Sequence, residues 1–220
     1  MIELERDGDV FVLRMDAEEN RLSPDFLHAF NDALATVEEA EGPKALVTTG
    51  TGKFFSNGLD LDWLGANPGE MLSYLDRVHR LYARILHLPC VTVAACNGHT
   101  FAAGAMLAIA HDRRFMRADR GYWCLPEVDL GMPFTAGMNA LIPAMVPAAT
   151  AREAMVTGRR YDGAEALEAG IVHGLADEAS VLADAVAYAQ AAAGKAGPNL
   201  GGIRAQLYAP VLDALTGNHA

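Results

Sequence analysis

Cysteine is scarce in this chain. Its 220 residues include three, Cys90, Cys96 and Cys124, an odd number with no metal or redox spacing. Each lies in an apolar stretch, as buried free thiols do. That argues against a disulfide framework or a thiolate metal site and points to a reducing compartment. Cations are also in short supply: 17 Lys and Arg against 28 Asp and Glu leave a net charge of −11. Binding a phosphate backbone needs clustered Lys and Arg, so no nucleic-acid partner is expected. An anionic small ligand needs only a few local cations or backbone N–H groups and stays open. No apolar run approaches the length that crosses a bilayer, so no membrane partner is expected. The opening Met1-Ile2-Glu3-Leu4-Glu5-Arg6 is charged and alternating, unlike a signal peptide, and the closing Gly-Asn-His-Ala is not of the Ser-Lys-Leu peroxisomal kind. The expected location is cytoplasmic. No Gly-x-Ser-x-Gly elbow occurs, which argues against a serine hydrolase. Repeats of fixed sequence period and low-complexity linkers are missing too.

What is present is an α/β pattern. Ile2 to Arg6 and Val10 to Met15 read as strands around the turn Asp7-Gly8-Asp9. Ser23 and Pro24 read as the cap and first turn of a helix whose apolar side is Phe26, Leu27, Phe30, Leu34 and Val37. Ala45 to Thr49 lacks alternation and follows a helix, as buried parallel strands do. Gly50-Thr51-Gly52-Lys53 hints at a phosphate loop, but Val47 and Phe54 stand where the motif needs Gly and Ser or Thr. Phe54 and Phe55 read as core plugs. Glu70 to Leu88 is a long helix stopped by Pro89, followed by a strand from Val91. Short strands are expected over His111 to Met116 and Gly121 to Leu125, and a loop over Leu125 to Pro133. Helices are expected over Thr135 to Met145, Ala148 to Thr157, Gly163 to Ala169 and Ser180 to Ala193. Gly194 to Gly202 reads as the most flexible stretch, and a single last helix runs from Ile203 to Leu215. Strands and helices alternate and then helices dominate, so the fold class is α/β with a helical C-terminal portion. The division expected is a core over residues 1–170 and a helical region over 171–220, forming one functional unit.

Three stretches carry chemistry. In Asn97-Gly98-His99-Thr100-Phe101-Ala102-Ala103-Gly104, a turn runs into a helix whose first residues are small. Backbone N–H groups are unpaired at a helix start, and small side chains let a ligand approach them. Half of an oxyanion hole and plain close packing both fit. In Phe55-Ser56-Asn57-Gly58-Leu59-Asp60-Leu61, Gly58 permits a backbone angle that turns the Leu59 N–H away from strand pairing. Asp60 reads as an Asx-turn or helix cap. In Pro126-Glu127-Val128-Asp129-Leu130-Gly131-Met132-Pro133, Glu127 sits in apolar company. Desolvation raises the pKa of such a carboxylate and suits it to act as a general base, although an exposed loop glutamate reads the same way.

Taken in order, these stretches resemble the crotonase superfamily, the enoyl-CoA hydratase and isomerase group. Phe-Ser-Asn-Gly-Leu-Asp-Leu is similar to its first oxyanion segment and Asn-Gly-His-Thr-Phe-Ala-Ala-Gly-Ala to its second. Ala110 to Phe115, Pro126 to Gly131, Thr157 to Tyr161, Ala164 to Ala166 and Ala169 to Val172 continue in that family's order, so the likeness spans residues 1 to about 215. The resemblance implies a spiral of repeated ββα units followed by helices used in trimer assembly, and a homotrimer or dimer of trimers. It implies an acyl-CoA substrate, with coenzyme A as part of that substrate and no separate cofactor or metal. The thioester oxygen would lie between the N–H groups of Leu59 and Ala103. Substrate contacts would come from Ser56, Gly58, Asp60, Leu61, Gly104, Trp63 and Lys53.

The resemblance also bears on the reaction. Family hydratases use two glutamates. One matches Glu127; the other falls at Met106, whose thioether cannot move a proton. One carboxylate suffices for the family's delta-3,delta-2-enoyl-CoA isomerases, whose plant-type members Phe115 to Gly121 and Pro126 to Pro133 especially resemble. The expected function is therefore a shift of a 3-enoyl-CoA double bond to 2-trans-enoyl-CoA, within fatty acid β-oxidation. Glu127, Leu59 and Ala103 are the expected catalytic residues. Hydration, another acyl-CoA reaction, or CoA-ester binding without turnover are the alternatives. His99 is expected to be structural, and His111-Asp112 lacks further ligands for a metal. Asp129 could be a second acid if Glu127 and Asp129 share one side of an extended segment. Trp63, Leu64, Met71, Leu75 and Trp123 fit an acyl pocket or plain core equally. Lys53 and Arg204 are the cations considered for CoA phosphates.

Overall fold

The computed structural model describes residues 1–217. The last three residues of the Gly-Asn-His-Ala terminus, where no peroxisomal pattern occurs, lie outside the described residues.

Strands β1 (Ile2–Asp7) and β2 (Val10–Met15) form an antiparallel hairpin turned at Asp7-Gly8-Asp9. Helix α1 (Pro24–Glu39) starts where its cap says it should: Ser23 Oγ accepts the Phe26 N–H at 3.2 Å. Three passes of one plan follow. Strand β3 (Ala45–Gly50) leads to the short strand β4 (Phe54–Ser56), then to helices α2 (Leu61–Ala66) and α3 (Met71–His87). Strand β5 (Val91–Cys96) leads to β6 (His99–Phe101) and helix α4 (Ala103–Ile109). Strand β7 (Arg113–Arg117) leads to β8 (Trp123–Cys124) and helix α5 (Glu127–Leu130). The remainder is α6 (Ala136–Met145), α7 (Ala148–Thr157), β9 (Arg160–Tyr161), α8 (Gly163–Glu168), β10 (Gly174–Ala176), α9 (Val181–Ala192), α10 (Pro198–Leu207) and α11 (Ala209–Thr216).

In each pass the first strand enters one sheet and the second enters another. The larger sheet has the order β1-β2-β3-β5-β7-β10, parallel throughout except for β1 against β2. The smaller has the order β4-β6-β8-β9, with β9 antiparallel. This is the expected ββα spiral. Every residue of β3 and β5 is buried because the large sheet is covered on both faces. On one face Leu46 and Ala94 join the main core with Phe30, Val78, Tyr82 and Leu107. On the other, Val10, Val12, Val47 and Val93 meet Ala185, Ala189 and Ala192 of α9. The small sheet presents Phe55, Thr100, Trp123 and Tyr161 to the interior, all at most 1% exposed.

Three sequence expectations change. The stretch after Pro126 begins as a helical turn, not a loop, because the Pro126 carbonyl accepts N–H groups from Asp129 and Leu130. At the C-terminal end, Gly194 to Gly202 is a short turn and the first half of α10. The single last helix is two, α10 and α11, with Pro210 in the first turn of α11, where its missing N–H is tolerated.

Candidate active site

The same place in each ββα pass supplies one group. Leu59 lies three residues past the end of β4, Ala103 two past β6, and Glu127 three past β8. Because β4, β6 and β8 are adjacent and parallel, the three arrive side by side. They line one cavity of about 390 Å³, walled by Leu61, Leu75, Met106, Leu130 and Met138.

Leu59 is aimed by its neighbours. Gly58 has φ +91°, and a Cβ there would stand 2.9 Å from Ala102 Cβ and 3.2 Å from Ala103 N. Only glycine lets these two segments touch. The Gly58 carbonyl accepts the Leu22 N–H at 2.8 Å. In a trans peptide the carbonyl and the following N–H point opposite ways, so this bond turns the Leu59 N–H away from Leu22. Among the described residues, nothing in the chain accepts that N–H.

Ala103 begins α4. Ala102 before it has φ 50° and ψ −125°, a strained conformation for a residue with a Cβ. The Ala102 carbonyl is taken by the N–H groups of Ala105 and Met106, at 2.9 and 3.1 Å. The Ala103 N–H therefore points out of the helix start, and among the described residues it too has no acceptor in the chain. Gly104 seats this segment on the first one: a Cβ there would meet Ser56 Cβ at 2.6 Å.

Glu127 is 7% exposed, and its Oε2 has no hydrogen-bond partner among the described residues. Burial pushes its carboxyl up to about 7, against a weaker opposing pull from its own backbone N–H. A carboxyl poised there exchanges protons readily near neutral pH. Met106, fully buried, lines the same cavity and brings only a thioether. Two free N–H donors, one buried carboxyl and an apolar wall can hold an oxyanion and move a proton in the same space.

Of the other expected substrate contacts, Leu61 lines the cavity and the rest do not. Buried Ser56 donates its Oγ–H to the Asn20 carbonyl at 2.7 Å and accepts the Gly58 N–H at 3.2 Å, so it braces the loop. Asp60 caps α2 by accepting the Trp63 N–H at 3.0 Å. Trp63 packs on Tyr74, with ring centroids 5.2 Å apart. Exposed Lys53 lies over the Phe54 ring. Gly58 and Gly104 act through the segment contacts just described. Of the apolar residues left between pocket and core, Leu75 lines the cavity, whereas Leu64 and Trp123 are core. Met71 is 36% exposed.

Arg204 is not available to phosphates. It is 3% exposed, ion-paired to Asp112 and bonded to the Ile85 and Leu86 carbonyls. Asp129 does not share a side with Glu127, because the segment is helical rather than extended; it lies against Gly158, outside the cavity. The His111 ring is held by the Leu107 carbonyl and the Thr48 hydroxyl, each at 2.9 Å, and burial depresses its pKa to about 4. His99 packs among Phe54, Phe101 and Tyr122; desolvation first, then Lys53, Arg120 and Arg160, lower its pKa.

Sequence reasoning missed Asn20, Leu22 and Arg160. Asn20 Nδ2 donates to the Phe54 and Phe55 carbonyls, and Leu22 holds Gly58, across more than 30 residues of chain. Arg160 lines the cavity, with its guanidinium over Phe101. Its place in Thr-Gly-Arg-Arg-Tyr was the available signal.

Known proteins resemble this chain in sequence and in fold. The family described as enoyl-CoA hydratase/isomerase matches residues 5–217. Enoyl-CoA delta isomerase 3 of Arabidopsis thaliana is 39% identical over 194 residues, which are 82% of this chain and 79% of that one. The peroxisomal enoyl-CoA delta isomerase 2 of the same plant is 36% identical over 94% of this chain and 92% of its own. Among solved structures, a probable enoyl-CoA hydratase from Mycobacterium tuberculosis superposes with a TM-score of 0.90 at 26% identity, covering 97% of this chain and 91% of that one. The family match and the relatives agree, and the chain belongs to the enoyl-CoA hydratase/isomerase family as an enoyl-CoA isomerase-like enzyme.

Proposed function

We propose that this enzyme moves the double bond of a 3-enoyl-CoA to give the 2-trans-enoyl-CoA, with Glu127 as the only proton carrier. The observation that carries this reading is that, among the described residues, one buried carboxyl lines a cavity also lined by two residues whose N–H groups have no acceptor in the chain. The thioester oxygen sits between the Leu59 and Ala103 N–H groups. The Glu127 carboxylate takes a proton from C2, and the electron pair delocalises through the thioester and the C3–C4 double bond as a dienolate. The two N–H donors stabilise the charge that develops on oxygen; one such donor is worth on the order of 3 kcal/mol. The same carboxyl returns the proton to C4 and ends as carboxylate, so no external acid or base is consumed. Apolar walls at Leu75, Met106 and Met138 favour an alkyl chain over water. The same reading includes a homotrimer or dimer of trimers, a cytoplasmic location and a place in fatty acid β-oxidation.

Hydration is the second reading, favoured by the names of several relatives, but it lacks the second carboxyl at Met106. The test is the absorbance of the conjugated 2-enoyl thioester after addition of 3-hexenoyl-CoA. Rising absorbance in the wild type, lost in Glu127→Gln, is expected. Full turnover by Glu127→Gln would overturn the proton shuttle. Rapid hydration of crotonyl-CoA by the wild type would favour the second reading, and tight acyl-CoA binding without turnover would favour a non-catalytic binder.

A further inference from the structure

We infer that helix α3 sets the geometry of the oxyanion hole through two buried hydroxyls, with Tyr74 positioning the Leu59 N–H and Tyr82 positioning the Ala103 N–H. The inference rests on the proposal that these N–H groups hold the thioester oxygen. Tyr74 and Tyr82 stand eight residues apart on α3, about 12 Å along its axis. They are 1% and 0% exposed.

The Tyr74 hydroxyl accepts the Asp60 N–H at 2.9 Å and donates to the Leu22 carbonyl at 2.7 Å. Leu22 in turn donates its N–H to the Gly58 carbonyl. Leu59 is thus held on both sides: the peptide before it through Leu22, the peptide after it through Tyr74, and Leu22 itself through Tyr74. A single hydroxyl closes this circuit. The Tyr82 hydroxyl donates to the Ala103 carbonyl at 2.8 Å, on the residue whose N–H forms the other half of the hole. Burial raises both phenols, Tyr74 to about 12 and Tyr82 well above the ordinary range, so both remain protonated donors at neutral pH. Neither Tyr74 nor Tyr82 lines the cavity. Both are positioning residues. A rigid helix spanning two loops holds their N–H groups at a fixed spacing, which a donor pair aimed at one oxygen requires.

Tyr74→Phe and Tyr82→Phe keep the ring packing and delete the hydroxyl. Each is expected to lower kcat on 3-hexenoyl-CoA at least ~10-fold while KM moves less than ~2-fold, because small misplacements of catalytic groups are costly in rate. A second readout is the carbonyl stretch of bound, ¹³C-labelled 2,4-hexadienoyl-CoA. It should shift to low frequency in the wild type and return toward the free-ligand value in each variant. Tyr161→Phe is the control. Its hydroxyl donates to a Glu153 carboxylate oxygen at 2.8 Å, outside the cavity, so it should lose stability but keep kcat and the carbonyl shift. Wild-type kcat and carbonyl shift in both α3 variants would overturn the inference and leave the proposed function standing. A wild type that neither isomerises the substrate nor shifts the carbonyl would overturn the proposed function and this inference with it. If one variant does not fold, the other reads the prediction at its own half of the hole.

Discussion

Replacing Glu127 with Gln should slow turnover steeply and make the protein more stable, with a gain that depends on pH. The carboxyl lies at about 7 in the folded chain against a reference of 4.5, because burial disfavours its charged form. The difference of about 2.5 pK units corresponds to about 3 kcal/mol. A raised folded pKa means that the native state binds the proton more tightly than the unfolded chain does. The stabilisation from that proton is fully present below pH 4.5 and is lost as pH rises through 7. Gln is neutral at every pH and matches the protonated acid in shape. The variant should therefore equal the wild type near pH 4 and exceed it by about 3 kcal/mol above pH 8, or by about 6–12 °C in Tm for a chain of this size. Urea unfolding at a series of pH values measures the difference directly. The same titration should appear in kcat/KM of the wild type, which should rise with pH to a plateau above about 7, while the variant falls by 10²- to 10⁴-fold. A stability difference that stays flat from pH 4 to pH 8 would falsify the account of Glu127 as a desolvated carboxyl.

Three further outcomes follow from contacts described above. Gly58→Ala places a Cβ against Ala102 at φ +91°, so about 2–3 kcal/mol of stability and about 100-fold in kcat should be lost together, measured by urea unfolding and isomerase turnover. Met106→Glu adds a second carboxyl to the cavity and should create measurable hydration of crotonyl-CoA, followed as loss of enoyl absorbance; its stability should be lower at pH 8 than at pH 5, because the new carboxylate is buried. Arg204→Met removes a charged hydrogen bond to Asp112 and should lower stability by about 2–3 kcal/mol with KM for acyl-CoA unchanged, whereas a large rise in KM would restore a phosphate-binding role.

The groups lining the cavity were legible because each belongs to a short local pattern. Gly58 before Leu59, the small residues around Ala103 and the apolar neighbours of Glu127 all act within a few positions of the atom they serve. The ββα repeat came from the family resemblance and not from periodicity, since the three passes differ in length and composition and share no fixed sequence period. What escaped acts at long range. Leu22, Asn20, Tyr74 and Tyr82 read as ordinary core or turn residues, and nothing in their own neighbourhoods says which distant peptide their polar atoms hold. Arg204 looked like an exposed cation because its partner, Asp112, lies 92 residues away. Asp129 was misplaced for a different reason: a stretch with proline at both ends reads as irregular, but Pro126 can still accept the bonds that start a helical turn, which Gly131 at φ +65° then ends.

The two faces of the large sheet are held by different kinds of side chain. Toward the cavity, α3 contributes Tyr74, Val78, Leu81, Tyr82, Ile85 and Leu86. On the far side, α9 rests on the strands through the buried methyls of Ala185, Ala189 and Ala192, with half-buried Leu182 and Val186 beside them. Alanine methyls bury little area, so lifting α9 exposes far less apolar surface than lifting α3. Local opening should therefore follow a gradient across the sheet, with the amides of α9 exchanging with solvent well before those of α3. Breathing of the back layer would then leave the paired N–H donors undisturbed, and the chain can be loose on one face while its reaction centre stays rigid on the other.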